Sequence, residues 1–143
     1  LATPDADYIR DLFAARAAIE PAAVRWGEFA DAPSLVTLTS SAFDYAARGE
    51  HQEVSATNQR FHRALVAALD SPTLNEQMDN LLARMRLTFL LAIPRYPQLH
   101  ADHIQGNITL ATLIADGKRL EAATLSHDSL MNTCEKILAV LDD

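Results

Sequence analysis

A single cysteine, Cys134, is all the thiol this chain carries, so no internal disulfide can form. Its place in a helical apolar pattern reads as a small buried hydrophobe, not a reactive thiol. Only 4 glycines stand among 143 residues, and the 6 prolines are scattered. Low-complexity tracts and internal repeats are absent. No apolar run approaches the ~18 residues of a membrane span, and no charged-then-apolar leader opens the chain. A cytoplasmic protein with no membrane association is the expectation.

Basic charge is scarce too. Lys and Arg number 12 against 19 Asp and Glu, for a net charge of −7, and no basic cluster exceeds two adjacent positions. Nucleic-acid affinity comes from Lys and Arg neutralising phosphates. This segment is therefore a poor DNA-binding surface, and any DNA contact belongs to another part of the parent protein. The chain begins at Leu1 without a methionine, and is expected to be a piece of something longer.

Catalytic motifs are equally missing. There is no glycine-framed serine, no cysteine with a recognisable base partner and no Gly-rich phosphate loop. Glu20 and Asp44 read as a packing-region ion partner and a solvated surface charge. The expectation is that this is not an enzyme.

What is present is an alanine- and leucine-rich alphabet that favours helix, with few β-branched runs. Six helical segments follow from period and punctuation. The first opens at Thr3-Pro4-Asp5, with Thr3 as cap and Pro4 at the first helical position. It runs through Leu12, Ile19, Val24 and Trp26 to about Ala30, and Pro21 should kink or divide it near Glu20. The second starts near Pro33, repeats Leu35, Leu38 and Phe43, and stops at Gly49. The third covers 51–69. Ser71-Pro72 caps a fourth whose stripe is Leu74, Met78, Leu81, Leu82, Met85, Phe89 and Leu90. "IPRYPQLH" (93–100) breaks the pattern; a fifth runs from Leu99 to Ala115, and a sixth from Lys118 to Leu141. No period-two alternation appears. The fold class is all-α, an antiparallel bundle of six to seven helices in one domain spanning 1–143, with a core of the size one domain allows.

Polar groups on these helices are the candidates for function. Of the five histidines, His51 and His100 fall at loop-like boundaries. His62 alone combines helical placement, a polar partner one turn back (Asn58) and a position flanking the core. It is either satisfied locally or lines a cavity. Arg16 interrupts the alanine-rich face of the first helix, and Arg84 and Arg86 do the same in the fourth. A buried arginine needs a carboxylate, from the protein or from a ligand. Snorkelling to water, or pairing with Glu20 four residues after Arg16, is the plain alternative.

Three segments, "LFAARAAIEPAAVRWGE" (12–28), "NQRFHRALVAALDSPTL" (58–74) and "LATLIADGKRLEAATLSHDSL" (110–130), resemble in that order the C-terminal effector domain, of FCD type, of FadR-subfamily GntR transcription regulators. The resemblance implies a helical bundle enclosing a small-molecule cavity, behind an N-terminal winged helix-turn-helix that binds DNA, usually as a homodimer. It implies effectors such as carboxylic acids, sugar acids, amino acids or acyl-CoA thioesters. Many members hold a divalent metal (Zn, Ni or Mn) with one Asp and three His, and the metal takes the effector's carboxylate.

Carried over by position, the aspartate falls on Asn58, the first histidine is kept as His62, and the other two fall on Asn107 and Ser129. His103, one turn before Asn107, could substitute, whereas His127 should point elsewhere. Any metal would rest on His62, Asn58 and His103. Asn58, His62, His103, Asn107 and Ser129 are expected to converge in a pocket, with Arg16 or Arg86 neutralising an anionic effector. The function implied is a ligand-sensing and dimerisation domain. Two other classes stay open: a purely structural dimerisation module closed around His62, and a helical enzyme using His62 as base.

Overall fold

The computed structural model describes residues 4–142 and holds six helices, α1 (Ala6–Trp26), α2 (Ala32–Ala47), α3 (His51–Ala67), α4 (Pro72–Ala92), α5 (Leu99–Ala115) and α6 (Arg119–Leu141). A single 3₁₀ turn, Ile93–Arg95, follows α4 where the two prolines break the helical pattern. No strand occurs among the described residues. The chain is an all-α bundle, as its periodicity predicts.

The start of α1 differs from expectation. Thr3 lies outside the described residues, and Asp5 is the cap, its Oδ1 accepting from Tyr8 N at 2.8 Å. Asp5 is as good a cap as threonine and carries a charge that favours the helix N-terminus. Nor does Pro21 divide the helix, which runs unbroken past it to Trp26. Burial of Glu20, Ala23 and Val24 on both sides of the proline fixes the helical path there. α1 also stops short of the expected Ala30, at Trp26, where Gly27 is the C-cap and its amide donates to Ala23 O. The boundaries of the later helices fall close to expectation: Ser71 caps α4 through Leu74 N, and Gly49 and Gly117 end α2 and α5 at φ +72° and +78°.

α1 packs along α6, and α2 lies against both α3 and α5. One apolar cluster joins Ile9, Leu12 and Phe13 of α1 to Met78, Leu82 and Met85 of α4 and to Leu130, Cys134 and Ile137 of α6. A second joins Val24, Leu35, Phe61, Leu65, Leu110 and Ile114. Cys134 is buried in the first, as its pattern suggests. Three apolar residues assigned to inward stripes face out instead: Trp26 and Leu90 are 70% and 63% exposed, and Phe43 is 48% exposed. Each sits at the rim of its helix's apolar arc, where a 3.6-residue period alone does not distinguish core from edge.

Arg119 ties the end of α1 to the start of α6. Its Nε and Nη2 donate to the carbonyls of Val24 and Gly27 at 2.5 and 2.6 Å, capping carbonyls that the helix end leaves free. The two clusters thereby clamp α1 from both ends. Between them α1 carries two charged residues through the interior.

Candidate functional site

Those residues are Arg16 and Glu20, 1% and 0% exposed. One turn apart, they face the same way, and Arg16 Nε donates to Glu20 Oε2 at 2.6 Å, with a longer contact of 3.4 Å from Nη2 to Oε1. His62, from α3, completes the group: its Nδ1 lies 2.5 Å from Glu20 Oε1. Burial alone pushes the Glu20 carboxyl up. Arg16 and His62 more than reverse this and hold it at about 2. Glu20 is therefore a carboxylate, and the proton between it and His62 resides on Nδ1. The opposite ring nitrogen, Nε2, is buried with no hydrogen-bond partner among the described residues.

Arg16 and His62, joined through Glu20, line a cavity of about 190 Å³ bounded by α1, α3, α5 and α6. Leu99, Leu110 and Leu130 supply its apolar wall, and Asn107, Ser126 and Ser129 its polar one. Tyr96, Asp102, Asn132 and Lys136 stand at its solvent side. There the Tyr96 hydroxyl donates to Asp102 Oδ2, which with burial and the Asp102 charge raises the phenol to about 12.

Of the seven residues singled out from sequence, five meet here: Arg16, His62, His103, Asn107 and Ser129 line this one cavity. His103 accepts no proton at neutral pH: burial, then the neighbouring His62 and Arg16, lower it to about 3. Asn58 stands just behind. Its Oδ1 accepts from Asn107 Nδ2 at 2.7 Å, and it lines an adjoining chamber of about 20 Å³ that shares Leu99, His103 and Asn107 with the larger one. Arg86 does not join them. It is exposed, donates to Gln59 Oε1 at 2.9 Å and borders an outer groove with His51 and His100. Its neighbour Met85 takes the inward position, and one residue along a helix is a rotation of about 100°. Arg84 likewise turns away, onto the Tyr8 ring and hydroxyl, while His127 is exposed beside Asp128, as expected.

Two participants escape the sequence reading. Glu20 was visible only as Arg16's local partner, and nothing local tells that His62, 42 residues on, shares it. Ser126 is 3% exposed and reaches the cavity one turn before Leu130, whereas positional carry-over points to Ser129 alone.

A helical bundle around a polar-floored cavity is built as a ligand-binding domain. The FCD domain family model matches residues 11–131, and the chain belongs to that family, the C-terminal effector-binding domains of GntR regulators. It is a regulatory and not an enzymatic family. No curated protein and no solved structure matches the chain. None of its described helices is long and apolar enough to cross a membrane.

The metal implied by the resemblance can be tested against the donors. His62 fits: its outer nitrogen is free and its inner one is oriented by a carboxylate, the usual support of a metal-bound imidazole. The remaining positions do not. Asn58, Asn107 and Ser129 are neutral, and the Asn58 oxygen is already engaged by Asn107. Among the described residues no group of three His, Cys, Asp or Glu is arranged to hold a metal. Tight divalent binding wants at least three good donors, so this donor set does not fit the family's metal centre.

Proposed function

We propose that this chain is the effector-sensing and dimerisation domain of a cytoplasmic FadR-type GntR regulator, and that its cavity takes a small organic acid directly, without a resident metal. The observation that carries the reading is Arg16. Glu20 engages its Nε and Nη2 side, which leaves Nη1 and the terminal edge for a second carboxylate in the cavity. A buried guanidinium with half its donors unspent is an anion receptor.

The effector shifts the regulator only by binding its two states differently, and a coupling of about 1–3 kcal/mol is ordinary. α1, α3, α5 and α6 all line the cavity, so a ligand that draws them together changes how the bundle presents its outer faces. A homodimer is part of this reading, and Leu87, Leu90 and Leu91 on the outer side of α4 supply apolar surface for it. DNA contact falls to a separate N-terminal winged helix-turn-helix.

Thermal unfolding of EDTA-treated protein with a panel of short organic acids tests this. A rise in Tm with at least one acid is expected. No rise with any acid, or a rise only after Zn²⁺, Ni²⁺ or Mn²⁺ is restored, overturns the metal-free reading. The free Nε2 of His62 is the one observation that favours a metal, held by His62, Asn58 and His103. Elemental mass spectrometry of tag-free, chelator-free protein decides that point.

A further inference from the structure

Arg86, a candidate effector contact in the sequence, stands in the fold outside the central cavity and borders a space of its own. This is an outer groove of about 470 Å³ between α3, α4 and the start of α5. Its volume is that of a small-molecule site, and it shares no residue with the central cavity. α1 and α6 take no part in it.

The lining divides by chemistry. Ala56, Phe89, Leu90 and Ile93 are apolar, and Leu90 is left 63% exposed. Phe89 is held edge-on to the buried His103, with ring centroids 5.2 Å apart. Arg86, His51 and His100 supply N–H donors from three different helices. Gln59 Oε1 takes Arg86 Nη2 at 2.9 Å, which anchors the guanidinium and leaves its other N–H groups to a ligand. His51 and His100 stack across the α3–α5 junction, their centroids 6.3 Å apart and their planes at 22°. An imidazole donates at least one N–H in either protonation state, so neither ring need be charged to serve an anion. No Asp or Glu lines the groove among the described residues, in a chain whose acids outnumber its bases 19 to 12. A carboxylate-free groove around three basic side chains is complementary to an anion.

We infer that this groove is a second ligand site, for a flat apolar monoanion of the aryl carboxylate class. Its rings lie on Phe89, Leu90 and Ile93, and its carboxylate meets Arg86, with His51 and His100 as further donors. Arg86 is the one permanent charge in the lining, which sets the ligand's charge at one. The Phe89 ring and the stacked imidazoles favour an aromatic body, since rings pair at centroid separations of about 4.5–7 Å. The groove has more than twice the volume of the central cavity, so size directs a two-ring acid here.

The test uses 2-naphthoate and its uncharged twin, 2-naphthamide, on the EDTA-treated protein. Calorimetry gives the affinities, and methyl ¹H–¹³C spectra give the place. Naphthoate should bind at about one per chain, shift the methyls of Leu90 and Ile93, and leave those of Leu110 and Leu130 unmoved. It should bind at least about fivefold tighter than the amide, because a guanidinium–carboxylate hydrogen bond is stronger than a neutral one. Arg86→Gln, an exposed change, should weaken naphthoate to the level of the amide and leave the amide within about twofold. Shifts at Leu110 and Leu130 in place of Leu90 and Ile93, equal affinities for acid and amide, or no binding at millimolar concentration would each overturn the second site. So would Leu90 and Ile93 methyls shielded from a paramagnetic co-solute in the free protein, because a second copy of the chain would then cover the groove. None of these outcomes bears on the organic-acid reading of the central cavity, which rests on Arg16.

Discussion

His62 Nδ1 and Glu20 Oε1 lie 2.5 Å apart in the interior, on helices whose sequence positions are 42 residues apart. The contact does two things. It brings a second, short partner to Glu20 Oε1, which Arg16 reaches only at 3.4 Å, and it leaves the opposite imidazole nitrogen buried with no partner among the described residues. A buried ion pair of this kind contributes little net stability against an apolar replacement, and breaking one side of it is costly. Arg16 and His62 also line the cavity, which places the group against the proposed effector as well as in the core.

Removal of Arg16 should therefore be worse than removal of both partners. Arg16→Met leaves Glu20 as a buried carboxylate with only His62 opposite, and a loss of about 3–5 kcal/mol is expected in urea unfolding. Arg16→Met combined with Glu20→Met should recover most of that loss. If the double variant is as unstable as the single, the uncompensated charge is not what destabilises it.

Helix order, boundaries and fold class were legible because they depend on local signals: Ser71 before Pro72, Gly49 and Gly117 at positive φ, two prolines in 93–100. The list of cavity residues was legible in most of its members because the resemblance supplied positions and the helical period supplied faces. Arg86 went astray because an arginine among apolar residues gives no sign of whether it points in or out. The Glu20–His62 contact was invisible for another reason: it is a tertiary pairing between two helices, and no local rule ties residue 20 to residue 62. Pro21 misled in the opposite sense, since burial on both sides outweighed a local helix breaker.

Acid sensitivity should come from two groups whose windows overlap, with His103 alone acting above about pH 4.5. His103 titrates near 3 in the folded chain against an ordinary 6.5, because burial, His62 and Arg16 disfavour its charged form. Between those values the unfolded chain binds a proton that the folded one does not, so stability is unaffected above pH 6.5 and falls as pH drops toward 3. By pH 5 the loss should reach about 2 kcal/mol. Unfolding measured from pH 7.5 to 5 should show this slope, and His103→Gln should flatten it. Glu20 acts lower: its ionised form stabilises the fold fully above about 4.5, and that stabilisation is lost as pH falls through about 2. A slope above pH 5 that survives in His103→Gln would assign it elsewhere.

Gly27 marks a close approach outside the cavity. A Cβ there would meet Ala23 O at 2.5 Å and the Ala68 Cβ at 2.7 Å, and both are held in place, the backbone of Ala68 by the amide of Glu28 at 2.9 Å. Gly27→Ala should cost about 1–3 kcal/mol through overpacking, visible as a lower Tm. Gly106→Ala, with nothing within 4 Å of its Cβ position and a helical site to gain propensity from, should be neutral or stabilising. Equal effects at the two glycines would contradict the packing of α1 against the end of α3.

The donor set itself can be reversed. Asn58→Asp, Asn107→His and Ser129→His together restore one carboxylate and two imidazoles around His62, whose outer nitrogen is free and whose inner one Glu20 orients. If neutral donors are what separate this cavity from a metal centre, the triple variant should take up about one divalent metal per chain while the parent, purified in parallel, holds far less than one. Elemental mass spectrometry reads both. Metal should also raise the Tm of the variant and not of the parent, since a ligand that binds only the folded state stabilises it. A parent that already carries one metal per chain, lost on His62→Ala, would show that Asn58 and His103 suffice as co-ligands. The carboxylate of the effector would then meet a metal and not Arg16, and the direct-binding reading would fail.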